Sequence, residues 1–253
     1  MSFVRSDKNL YHRDAKVSKR IHLANNMEVR VMEADASKKI FYQRQAENII
    51  RKLSARHMEG YYCPDIDSAK KKVVELISRG MDGQDRTGRT VAYGGSMTID
   101  NTDLKQMISD SGQELIVREK YGPDPEAQKE LKSRQINADS FLMSTNAITV
   151  DGELINIDGR GNRVSYLIYG PEQVIVIAGM NKVVPNVEDG IRRVRNEASP
   201  ANTIRLNCDT PCVKTGQCMN CLDHTICCQF VVTRASLTAG RIKVVLVGEE
   251  LGY

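Results

Sequence analysis

The sequence has no tryptophan, four phenylalanines and nine tyrosines in 253 residues, so its core must be built mostly from Val, Ile, Leu, Met and Ala. No apolar run approaches the roughly 18 residues that a membrane-spanning helix needs, and the most concentrated one covers only 174–178. Charges stand where a secretory signal would need its apolar region, which points to a cytoplasmic chain. Internal repeats and low-complexity linkers are absent. No Ser-His-Asp constellation is readable either: His12, His22 and His57 fall in the first quarter, away from the polar motifs. At this length a chain can bury a full core, and one domain is the simplest expectation.

A strongly basic folded face is missing too. The formal charge of +4 is reached within residues 1–20, where six basic residues meet Asp7 and Asp14, leaving 30 basic against 30 acidic residues. That balance argues against a nucleic-acid reader. Residues 1–38 therefore read as a basic arm, solvated or folded against a second copy in a homodimer, ahead of an α/β domain over 39–253.

In that domain strand-like and helix-like patterns alternate. Ile40 to Leu53 recur at helical spacing, 61–63 reads as a strand, and Asp67 opens a helix that stops at Gly80. Strands follow at 90–93 and 114–118, with helices at 102–108, 124–135 and 187–196. Further strand-like runs are expected around Leu167-Ile168, at 174–177 and at 201–206, and the chain closes with two strands, 230–233 and 242–247. The pattern implies a mainly parallel, Rossmann-like sheet with helices on both faces, and an antiparallel edge near the C-terminus.

Polar and glycine-rich residues gather at strand ends, where open α/β sheets place ligands. Gly94-Gly95-Ser96 follows a strand and offers backbone N–H groups to an anion, or simply a tight turn, with Thr98 or Asn101 capping the next helix. Ser144-Thr145-Asn146 ends another strand. A hairpin from Ala147 to Asp158 would bring Gly159-Arg160-Gly161-Asn162-Arg163 beside it, with an arginine able to grip an anion. Asp151, Glu153 and Asp158 are the acidic candidates, Asp151 more naturally a turn residue. Gly83 to Thr90 has the outline of a phosphate loop but precedes its strand, so it reads as a polar turn.

Six of seven cysteines lie within the loop 207–228: Cys208, Cys212, Cys218, Cys221, Cys227 and Cys228. So dense a run suits an iron–sulfur cluster or zinc, with Cys212, Cys218 and Cys221 plus Cys227 or Cys228 as ligands and His224 a bystander. Free redox-labile thiols are the alternative.

The segments 91–98, 139–146, 147–163 and V-I-V-I-A-G-M-N-K-V-V-P, in that order, resemble the lactate-utilisation (LUD) domain family, and 210–221 resembles its cysteine-bearing branch. The resemblance implies a fold like that of sugar-phosphate isomerases and CoA transferases. It also implies a role beside iron–sulfur or other redox proteins in oxidation of lactate or a related organic acid. A small anionic ligand would then be held by Gly94, Gly95, Ser96, Ser144, Thr145, Asn146, Glu153, Asp158, Gly159, Gly161, Asn162 and Arg163, with Asn181 and Lys182 adding a donor and a charge. A fainter similarity to methylthioribose-phosphate isomerases places Asn146 where their catalytic aspartate stands and Ile157 at their lysine position. An amide cannot do that acid–base work. Two other readings stay open: a non-catalytic subunit or regulator with a structural metal, and a CoA transferase or sugar-phosphate isomerase.

Overall fold

The computed structural model describes residues 35–253. The chain divides after Tyr42, and the fold below is that of Gln43–Tyr253. The basic arm and the homodimer expected through it lie outside the described residues, apart from 35–38. Those four residues begin helix α1, described over 35–55.

Two sheets form the body. The larger holds β1 (Glu59–Cys63), β2 (Thr90–Tyr93), β3 (Glu114–Leu115), β4 (Ser140–Met143), β7 (Gln173–Gly179) and β10 (Ile242–Val247), in the order β1-β10-β7-β4-β2-β3. Every pairing in it is parallel. The smaller is β8 (Val183–Val184), β5 (Ala147–Thr149), β6 (Leu154–Asp158) and β9 (Gln229–Thr233), in the order β8-β5-β6-β9. All of β7 and β10 is buried, as parallel strands covered on both faces must be.

Helix α2 (Ile66–Arg79) turns Ala69, Val73, Leu76 and Ile77 onto one face of the large sheet, where they meet Val91, Leu142, Ile175 and Val245. Helices α3 (Met97–Asp100) and α4 (Leu104–Asp110) add Ile99, Leu104 and Ile108 to the same core, and α5 (Pro125–Ile136) buries Leu131. On β4, Phe141 packs edge-on against Tyr166 of α6 (Asn162–Ile168), with ring centroids 5.1 Å apart. A smaller core joins Ala147, Ile155, Val184 and Val194.

The Rossmann-like α/β expectation holds, with several local corrections. Asp65, not Asp67, caps α2. The 114–118 strand is only β3, and Arg118–Tyr121 forms a 3-10 turn. Leu167-Ile168 ends α6 instead of forming a strand, because Val164 and Leu167 bury one helical face. Residues 201–205 belong to helix α8 (Ser199–Arg205), which is capped by Leu206 and continues α7 (Val187–Arg193) through a π turn, Val194–Ala198. Pro200 has no N–H to give, and the wider turn, with Ser199 N–H on the Val194 carbonyl, lets the helix pass it. The antiparallel edge is β9, paired with β6 in the small sheet, while β10 runs parallel between β1 and β7. The 83–90 turn is pinned by Arg89, whose guanidinium donates to the carbonyls of Ser78, Arg79 and Gln84. Among the described residues no helix is long and apolar enough to cross a membrane.

Candidate functional site

Strand order fixes where a ligand can enter. From β2 the chain moves outward to β3, whereas β4, its neighbour, leads the opposite way to β7. A crevice opens beyond the carboxyl ends of such diverging strands. The residues leaving those ends are Gly94-Gly95-Ser96 after β2 and Ser144-Thr145-Asn146 after β4. A cavity of about 380 Å³ lies there.

Ten of the fourteen residues read from sequence as ligand-binding line it. Gly95, Ser96, Ser144, Thr145 and Asn146 come from the large sheet's strand ends, and Lys182 from the 3-10 turn after β7. Asp158, Gly159, Asn162 and Arg163 come from the β6–α6 turn. Four do not. Glu153 sits at the far end of the β5–β6 hairpin with Thr149 and Arg56. Gly94 stands behind Arg163, and Gly161 caps α6 in the left-handed region, φ +82°. Asn181 faces the C-terminal segment, accepting from Leu251 N–H and donating to the Gly252 carbonyl.

Arg163, whose motif suggests an anion grip, is heavily engaged with the protein itself. Its side chain is 15% exposed, and its N–H groups are spent on the carbonyls of Ser144 and Ile157, at 3.2 and 2.6 Å, and on Asn156 and Asn146 Oδ1, at 2.7 and 3.1 Å. Asp158 lies 3.5 Å from its Nε. Burial pushes this guanidinium down and Asp158 partly restores it. Arg163 thus ties the end of β4 to the hairpin. Asn146 is locked in the same joint, since its Oδ1 also accepts from Ile157 N–H and its carbonyl from Arg193.

The charges open to a ligand are others. Arg160 and Arg205 line the cavity and are solvent-exposed. With Arg163 and Lys182 they put four basic side chains on the wall against one acid, Asp158. Arg205, with Ser199 and Asn202, comes from helix α8, where a strand at 201–206 was expected. Thr98, Gly252 and Tyr253 also line the cavity and were not foreseen as ligand residues. No spacing signal marks them; the fold alone brings them in.

The cysteine loop reaches the cavity through Ile226 and Cys227, because Cys228 N–H bonds to the Asp158 carbonyl. All six of its thiols are free, as is the buried Cys63 of the main core. Burial pushes the Cys227 thiol up, the neighbouring Cys212, Cys218 and Cys221 add to that, and a Ser199 hydrogen bond opposes it. At Cys218 burial also raises the thiol. The Arg195 hydrogen bond and charge, with an Asn220 N–H, outweigh it, and the net direction is down. Cys212, Cys218 and Cys221 thus stand near enough to act on Cys227, and four thiol sulfurs are a donor set suited to thiophilic ions. Among the described residues, however, no three His, Cys, Asp or Glu side chains stand in a metal-holding arrangement.

A family model described as the LUD domain matches residues 46–247. The crystal structure of a DUF162 family protein from Deinococcus radiodurans aligns with a TM-score of 0.45 at 13% identity, over 83% of this chain and 97% of that one. That of eIF2B beta from Chaetomium thermophilum aligns with a TM-score of 0.28 at 16% identity, over 58% of this chain and 45% of that one. No curated protein matches.

Proposed function

The chain belongs to the LUD domain family, and on that premise we propose that it binds a small organic anion at the carboxyl ends of β2 and β4 and acts in oxidation of lactate or a related acid. The observation that carries this reading is the cavity wall, with Arg160, Arg163, Lys182 and Arg205 set against Asp158. Low-dielectric walls of one sign concentrate counter-charged ligands. Arg160 and Arg205 meet the ligand's carboxylate, and Ser144 and Thr98 offer hydroxyls deeper in.

Cys212, Cys218, Cys221 and Cys227 would hold an iron–sulfur cluster or a zinc ion. The influence of Cys212, Cys218 and Cys221 on the Cys227 thiol supports that set over one with Cys208 or Cys228. A cluster there would supply one-electron transfer to a redox partner protein, whereas zinc would pin the loop.

Thermal unfolding of the full chain in a series of small carboxylates and matched neutral alcohols tests the ligand. Carboxylates should raise Tm in a saturable way and the alcohols should not. Equal shifts from both, or none, would defeat the reading. Metal analysis of anaerobically prepared protein, with its visible spectrum, tests the loop; a colourless, metal-free sample would remove the cofactor.

A further inference from the structure

Lys182 is more than anion binding requires. Only 3% of it is exposed, and its Nζ lies 2.9 Å from Ser144 Oγ and 3.3 Å from Thr98 Oγ1. None of its hydrogen-bond partners is a carboxylate. The charged groups that act on it are Arg193 and Arg163, whose nearest acids are Glu197 at 3.6 Å and Asp158 at 3.5 Å. Burial first, then Arg193 and Arg163, bring its amino group down to about 7. A lysine meant only to grip an anion is best kept charged by a partner. A buried amine beside other cations is instead partly unprotonated at neutral pH, the form that attacks a carbonyl carbon. Three features converge: a nucleophilic nitrogen aimed into the cavity, a hydroxyl within proton-transfer distance, and cations at the mouth for a carboxylate.

We propose that Lys182 Nζ condenses with the carbonyl of a small 2-oxo acid held in the cavity, forming an imine. This deepens the reading above and rests on it. The amine lone pair attacks the carbonyl carbon and a C–N bond forms. Ser144 Oγ relays one nitrogen proton to the former carbonyl oxygen; that hydroxyl then takes a second proton from solvent, the C–O bond breaks, and water leaves the protonated imine behind. No oxidant or reductant is consumed. A 2-oxo acid is the dehydrogenated form of a 2-hydroxy acid, so the cavity would retain an oxidation product covalently while the hydroxy acid, lacking a carbonyl, binds only by its charge.

Trapping tests this on the full-length protein. Pyruvate, glyoxylate and 2-oxobutyrate are each added and followed by borohydride, which reduces an imine to a stable secondary amine, and the adduct is mapped by peptide mass spectrometry. Calorimetry with the same three acids runs in parallel. The expected result is an adduct on the Lys182 peptide, lost in K182M and K182R, lost when lactate replaces the oxo acid, and formed more slowly in S144A. K182R keeps a cation and serves should K182M fold poorly. If an oxo acid binds by calorimetry and none leaves an adduct, the imine is overturned and the anion reading survives. Adducts spread over surface lysines and unchanged in K182R overturn it equally. If no acid binds, both fall.

Discussion

Replacing Arg163 should damage stability first and ligand binding only second. Its guanidinium satisfies four acceptors and faces Asp158, joining β4 to the β5–β6 hairpin. Arg163→Met removes every donor and leaves Asp158 largely unpaired. Truncating one side of a buried charged network costs about 3–5 kcal/mol. For a domain of this size that is a fall of about 6–20 °C in Tm. Arg163→Lys keeps the charge without the planar fork and should fall between wild type and Met. Arg160→Met, at an exposed position, should stay within about 0.5 kcal/mol of wild type. Thermal and urea unfolding followed by circular dichroism measure all three. An R163M protein melting within about 2 °C of wild type would refute the reasoning, because the side chain would then be free to serve a ligand.

Three further outcomes follow from the same geometry. The Lys182 amino group titrates near 7 in the fold and near 10.5 when unfolded, so the unfolded chain binds more protons in that window and stability rises with pH across it. With Arg163, Arg193, Asp158 and Glu197 retained, wild type should gain about 2 kcal/mol relative to K182M between pH 7 and 9 in urea titrations, and a flat difference would contradict the burial argument. A Cβ on Gly179 would fall 2.5 Å from Leu251 N and 2.6 Å from the Glu249 carbonyl. Gly179→Ala should therefore cost about 1–3 kcal/mol and loosen Gly252 and Tyr253 from the cavity wall, read as lower Tm together with weaker carboxylate binding. Serine at Cys212, Cys218, Cys221 or Cys227 should lower metal content in elemental analysis, while C208S and C228S leave it unchanged; equal losses across all six would dissolve the four-sulfur set.

The parallel sheet and the convergence of two polar turns were legible because both rest on local signals: short apolar runs, and small or glycine residues at their ends. What was illegible depended on tertiary context. Residues 201–206 follow a proline and look extended, yet a π turn absorbs the missing donor, and with that helix came Asn202 and Arg205. Leu167-Ile168 reads as strand by composition, but burial of Val164 and Leu167 makes it helix. β10 carries no sign of which strand it joins, and the crossover from β9 in the small sheet sets it parallel inside the large one. Arg160 and Arg163 share one motif, yet Arg163 is spent on protein acceptors while Arg160 stands exposed on the cavity wall. Only the number of acceptors around each guanidinium separates a clamp from a ligand contact.

The central claim is that this cationic cavity takes a small organic anion. Its most direct measurement is a calorimetric titration of lactate and pyruvate into wild type and the Arg160→Ala/Arg205→Ala double variant, with unfolding curves as a control for the fold. Wild type should bind saturably and one to one, and binding should be weakened at least tenfold, about 1.4 kcal/mol, in a variant that unfolds like wild type. Undiminished affinity in the variant, or no heat with any small carboxylate, would contradict it.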